Sequence, residues 1–194
     1  MNCPAICVDA RIVGCNGCKA EDSTQGDGII GPGDLWGGQY DKDTEETLFW
    51  LHLLKADLIT GVSDAALTDE PIGVGTTHLA AKIKGGFYAE SGGGRCSTGD
   101  HFVIWGGCQA YGHVIFLHNR INEQGTFRYG GSEYIMSPLQ AASIDQKMDD
   151  GKPLTGDVRG AGRGNMPGCA NDDEAYSEAE TDADRCSLGF IIGE

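Results

Sequence analysis

A chain of 194 residues with a formal net charge of −15 has the length of one domain with an ordinary core, and its charge repels phosphate backbones and anionic headgroups. Nucleic acid and anionic membrane surfaces are thereby excluded as natural partners, whereas cations, calcium included, are favoured. The 31 glycines imply many turns and short elements, which fits a loop-rich α+β domain with a small antiparallel sheet packed on helices.

Residues 1–41 are rich in Cys, Gly and Asp and lack periodicity, so an irregular stapled region is expected there, followed by helix, sheet and a C-terminal loop over 42–194. The eight cysteines form an even set in separated groups. Local pairing would join Cys96 with Cys108 and Cys169 with Cys186, with two bonds among Cys3, Cys7, Cys15 and Cys18. Those last four are also spaced to enclose a tetrahedral zinc ion. Disulfides are the stronger expectation, because isolated pairs of this kind persist in oxidising compartments. Gly26 to Gly31 satisfies a GxGxxG pattern, but no strand precedes it and Pro32 follows, so a dinucleotide site is not expected. Ser23, Gln25, Asp27, Gly28, Ile30 and Asp34 fall at EF-hand-like positions, which makes Asp27 and Asp34 candidate calcium ligands. Turn-forming Asp and Gly explain the same stretch without metal.

Asp43 to Ile59 reads as a helix, with Asp43 or Thr44 as cap, Glu45 and Glu46 in the first turn and Gly61 just past the end. Its apolar residues nearly encircle it, so burial on more than one side is expected, with Trp50 and His52 in the core or at its rim. A long loop follows, with a short extended piece at Gly86 to Glu90. Strands are expected at Asp100 to Trp105, Gly112 to Asn119 and Leu188 to Ile192 from their β-branched and aromatic content, the first two forming a hairpin. Ser137 to Val158 is the best-marked stretch. Ser137 caps a helix, Pro138 suits its first position and Gln140 completes a capping box. Ala141, Ala142, Ile144 and Met148 form its inner face, while Asp145, Gln146, Lys147 and Asp149 fall on the wetter side. Gly151 and Pro153 end it.

No His-Glu-x-x-His, Gly-x-Ser-x-Gly or Walker loop occurs, and the five histidines show no ligand spacing on one helix, so no enzyme activity is expected. His113 and His118 stand an odd number of residues apart on one strand and point to opposite faces. The pairs Asp149-Asp150 and Asp172-Asp173 read as solvated loop charges, although a glycosidase pair stays open on sequence alone.

The string Ile144-Asp-Gln-Lys-Met-Asp-Asp-Gly-Lys-Pro-Leu-Thr-Gly-Asp-Val158 resembles a segment near the C-terminus of type IV pilins and type II secretion pseudopilins, where Asp-Asp-Gly-x-Pro-x-x-Gly follows a short helix. Three further pieces agree in order: Gly26-Asp-Gly-Ile-Ile30, the Leu48 to Gly61 segment with its Phe49-Trp50 and His52-Leu53, and Cys169 to Cys186 before a terminal strand. The family's cleavage signal and long apolar helix are absent, since no run approaches the roughly 20 apolar residues of a membrane span, and residues 1–20 match nothing in the family. The numbered chain is therefore expected to be the soluble head of a longer precursor. The resemblance implies a non-enzymatic filament subunit that assembles with identical or related subunits. Its location would be extracellular or periplasmic, the parent chain being anchored in the inner membrane before assembly. It also implies calcium in the C-terminal loop region, where Asp172, Asp173, Asp182 and Asp184 are available. The alternative is a secreted calcium-dependent binding module or adhesin, for which the stapled acidic surface would suffice.

Overall fold

In the computed structural model, the described residues are 30, 45–63, 72–91, 113–119, 134–161, 169–170, 175–177 and 184–193. They form two helices and four strands: α1 (Glu45–Lys55), β1 (Gly86–Ser91), β2 (His113–His118), α2 (Pro138–Met148), β3 (Val158–Ala161) and β4 (Ser187–Gly193). The strands make one sheet in the order β1-β2-β4-β3, and every pairing is antiparallel. The α+β expectation holds at that level. The expected strand at 100–105 and its hairpin lie outside the described residues. Within them, β2 pairs instead with β1, the stretch read from sequence as only a short extended piece. β3 was not foreseen, because Val158-Arg-Gly-Ala161 is too short and glycine-broken to show alternation.

Register explains how the sheet is buried. Tyr88 lies opposite Phe116, and Phe87 opposite Leu117; residues directly opposite share a face, so the sheet has two apolar sides. One carries Tyr88, Val114, Phe116 and His118, all buried. β4 contributes Gly189 to that face, where a Cβ would stand 3.1 Å from the Phe116 ring. The other carries Leu117, Val158 and Leu188, which join Ile135, Met136, Ala141, Ala142, Cys169, Tyr176 and Cys186 in one core cluster. His113 is half-buried and His118 fully buried, on the opposite faces that strand alternation requires.

α1 contacts β1, and α2 contacts β3. Thr47, Leu48, Trp50 and Leu51 are buried and Phe49 and Leu53 half-buried, the multi-sided burial that its apolar residues imply. The helix stops at Lys55 rather than near Ile59. Asp57 takes a left-handed φ of 57°, its N–H bonds the Leu54 carbonyl, and the Leu58 N–H reaches back to Leu53. This is a Schellman end with Asp in the position glycine usually fills. Leu58, freed from the helix, is 70% exposed, so apolar periodicity ran on past the true boundary.

α2 matches its sequence signals at the start. Ser137 caps it, with Gln140 N–H donating to the Ser137 hydroxyl at 3.3 Å and Ser137 N–H donating to the Gln140 side chain at 2.9 Å. Its inner face requires a correction: Asp145 is fully buried and Met148 is 64% exposed. Asp145 follows Ala141 by four residues and so shares its face. Its burial is possible because donors meet both of its oxygens.

Candidate functional site

The described polar groups concentrate where α2 ends. Three carboxylates converge there, Asp145, Asp149 and Asp150, each offering an oxygen within 4.8 Å of the others. Asp145 is brought in by the buried face of α2. Asp149 is the helix C-cap, its N–H bonding the Asp145 carbonyl, and Asp150 starts the turn. Gly151 then takes a left-handed φ of 75°, a conformation that glycine adopts without Cβ strain.

Each carboxylate is met by donors of its own neighbourhood. Asp145 Oδ1 accepts from the Gly151 N–H at 3.0 Å and Oδ2 from the Tyr176 hydroxyl at 2.7 Å. Asp149 Oδ2 accepts from the N–H groups of Asp157 and Val158, so it ties the helix end to the first residue of β3. Asp150 accepts from the Lys152 N–H at 2.9 Å and from the Thr155 hydroxyl at 2.5 Å. Gly156 is obligatory in this arrangement. Its φ is 71°, and a Cβ there would run into the Asp149 carboxylate.

Tyr176 reaches the cluster from the segment closed by the Cys169–Cys186 disulfide, whose sulfurs belong to buried residues. Gly160 makes room for that approach: a Cβ would lie 3.0 Å from Tyr176 and Pro153 and 3.1 Å from the Cys169 sulfur. Helix end, edge strand and disulfide segment therefore meet at one point.

Electrostatics follow from burial and bonding. Removal from water raises the Asp145 carboxyl above its ordinary range, an effect opposed by the Tyr176 and Gly151 bonds and reinforced by Asp150 and Asp149. Asp150 is held below the ordinary range, chiefly by the Thr155 hydroxyl. The Tyr176 phenol is pushed far up by burial and by Asp145, and stays protonated as a donor. Oxygen donors at this spacing suit a hard cation. Equally, carboxylates that each accept from two N–H or O–H groups hold the turn together unaided.

A second buried polar group lies on the sheet's other face. His118 stacks on Tyr88 with ring centroids 4.0 Å apart, and His78 lies 4.8 Å from Tyr88 on centroids. The Thr77 hydroxyl stands 2.9 Å from His78 Nδ1, and burial pushes the His78 imidazole down to about 3, so it is neutral at physiological pH.

Of the residues that the sequence offered for calcium, Asp27, Asp34, Asp172 and Asp173 lie outside the described residues, as does Asp182. Asp184 is described, and its carboxylate pairs with Lys84 at 2.6 Å on the surface, apart from the cluster of Asp145, Asp149 and Asp150. Of the cysteines, Cys169 and Cys186 are bonded as local pairing implied; Cys3, Cys7, Cys15, Cys18, Cys96 and Cys108 lie outside. Sequence reasoning missed Asp145 and Tyr176. The signal for Asp145 was present in its helical spacing from Ala141, and its charge argued against it. Tyr176, 31 residues away from Asp145, left no local signal.

No family model, curated protein or solved structure matches this chain.

Proposed function

We propose that this chain is the head domain of a non-enzymatic filament subunit of the type IV pilin or secretion pseudopilin kind, assembling with identical or related subunits in the periplasm or outside the cell. One observation carries the reading. The string from Ile144 to Val158, on which the resemblance rests, forms a closed unit in which Asp149, Asp150, Gly151, Gly156 and Asp157 each have a definite part in joining α2 to β3. A motif whose polar residues serve the turn itself is one that builds a scaffold. The buried Cys169–Cys186 bond supports an oxidising location, and a disulfide ahead of the last strand accords with the same family.

A second reading, a secreted module that binds calcium, draws on the convergence of Asp145, Asp149 and Asp150. There the ion would take over donors' places at Asp149 and Asp150. Immunogold electron microscopy of the source cells separates the two readings. Regular labelling along filaments supports the first, whereas label confined to secreted, unassembled material overturns it.

A further inference from the structure

We propose that the Asp150–Gly151 bond is a latent modification site, closed by the folded turn and converted to isoaspartate once the turn opens. Asp followed by Gly is the pair most open to attack of the peptide nitrogen on the side-chain carbonyl carbon, because glycine has no Cβ to obstruct the approach. In that reaction the Gly151 nitrogen bonds to Cγ of the Asp150 carboxylic acid. The Cγ–OH bond breaks, and the hydroxyl leaves as water with the proton from the nitrogen. The resulting five-membered imide takes up water at either carbonyl. Cleavage of the N–Cγ bond restores Asp, and cleavage of the bond between nitrogen and the backbone carbonyl carbon gives isoaspartate. The net change is an isomerisation, with water lost and regained.

The folded turn opposes each movement that this requires. The Gly151 N–H, which must give up its proton, donates to the buried Asp145 at 3.0 Å. The electrophile is held at both ends, Oδ1 by the Lys152 N–H at 2.9 Å and Oδ2 by the Thr155 hydroxyl at 2.5 Å. Bringing Cγ over the nitrogen breaks these bonds. Once the turn has opened nothing prevents the reaction, since Asp150 is exposed and water is at hand. The product carries an extra backbone methylene between α2 and β3 and moves the carboxylate, so the Asp150 contacts to Lys152 and Thr155 cannot re-form. Chains that have spent time unfolded are thereby marked covalently, whatever the protein's function.

The test compares isoaspartate formation at Asp150 in folded wild type, folded Thr155→Ala and urea-unfolded wild type at physiological pH and temperature. Isoaspartyl methylation supplies the rate, and electron-transfer fragmentation locates the residue. Thr155 is exposed, and near-UV circular dichroism checks that its variant is folded. The unfolded chain is expected to react fastest and folded wild type slowest. Thr155→Ala should react about fivefold faster than folded wild type, the population change corresponding to the net ~1 kcal/mol of one hydrogen bond. Thr155→Ser, which keeps the hydroxyl, should return to the wild-type rate. Folded wild type reacting as fast as the unfolded chain would overturn the proposal, as would a folded Thr155→Ala variant indistinguishable from wild type.

Discussion

Replacing Asp145 tests whether the end of α2 is held as described. In Asp145→Ala the Tyr176 hydroxyl and the Gly151 N–H both lose their acceptor. A hydrogen bond to a charged group contributes about 1.5–3 kcal/mol, so two such losses amount to about 3–6 kcal/mol. Removing a desolvated charge offsets part of this, leaving about 3 kcal/mol. For a domain of this size each kcal/mol lowers Tm by about 2–4 °C, so Asp145→Ala should melt about 6–12 °C below wild type. Asp145→Asn behaves differently. Its oxygen can accept from Gly151 while its amide donates to Tyr176, whose hydroxyl then turns to accept. The Asn variant should stay within about 1 kcal/mol of wild type at neutral pH.

The pH dependence fixes the sign. Burial raises the Asp145 carboxyl in the fold above its unfolded value, so the folded state holds its proton more tightly. Its stabilising contribution is complete below the ordinary carboxylate range and is lost as pH rises through the raised folded value. Urea titrations across that window should show wild type losing stability relative to Asp145→Asn. An Asp145→Ala melt within about 2 °C of wild type, or an Asn variant as damaged as Ala, would refute the buried, doubly bonded carboxylate.

Other perturbations have equally definite outcomes. Replacing Cys169 and Cys186 by Ser should lower stability by about 3 kcal/mol in urea unfolding, from the loop entropy of a closure of this length, and non-reducing peptide mapping of wild type should recover the two cysteines in one linked pair. Ser137→Ala removes the capping hydroxyl of α2 and should cost about 1 kcal/mol by the same assay. If the three carboxylates take up calcium, millimolar calcium should raise the Tm of metal-stripped protein and Asp149→Asn should abolish the rise; an unchanged melt leaves them as the turn's own acceptors.

Local chemistry was legible in the sequence wherever one residue settles one conformation. Ser137, Pro138 and Gln140 define the start of α2, and Gly151 its turn. β2 and β4 could be read from their apolar runs. What escaped depended on contacts distant in the chain. β3 exists because β4 offers it a partner, and Asp145 is tolerated inside α2 because Tyr176 arrives from the disulfide segment. Apolar spacing continues through Leu58 and Ile59 and so places the end of α1 too late, whereas the helix stops where Asp57 takes a left-handed conformation that Asp adopts far less often than glycine.

Membership of an assembled filament, proposed above for this chain, is open to direct measurement. Quantitative mass spectrometry of filaments sheared from the source cells tests it directly. A filament subunit should stay in the filament fraction at a fixed ratio to the other filament proteins through successive purification steps; a chain that washes away into the soluble fraction is not such a subunit.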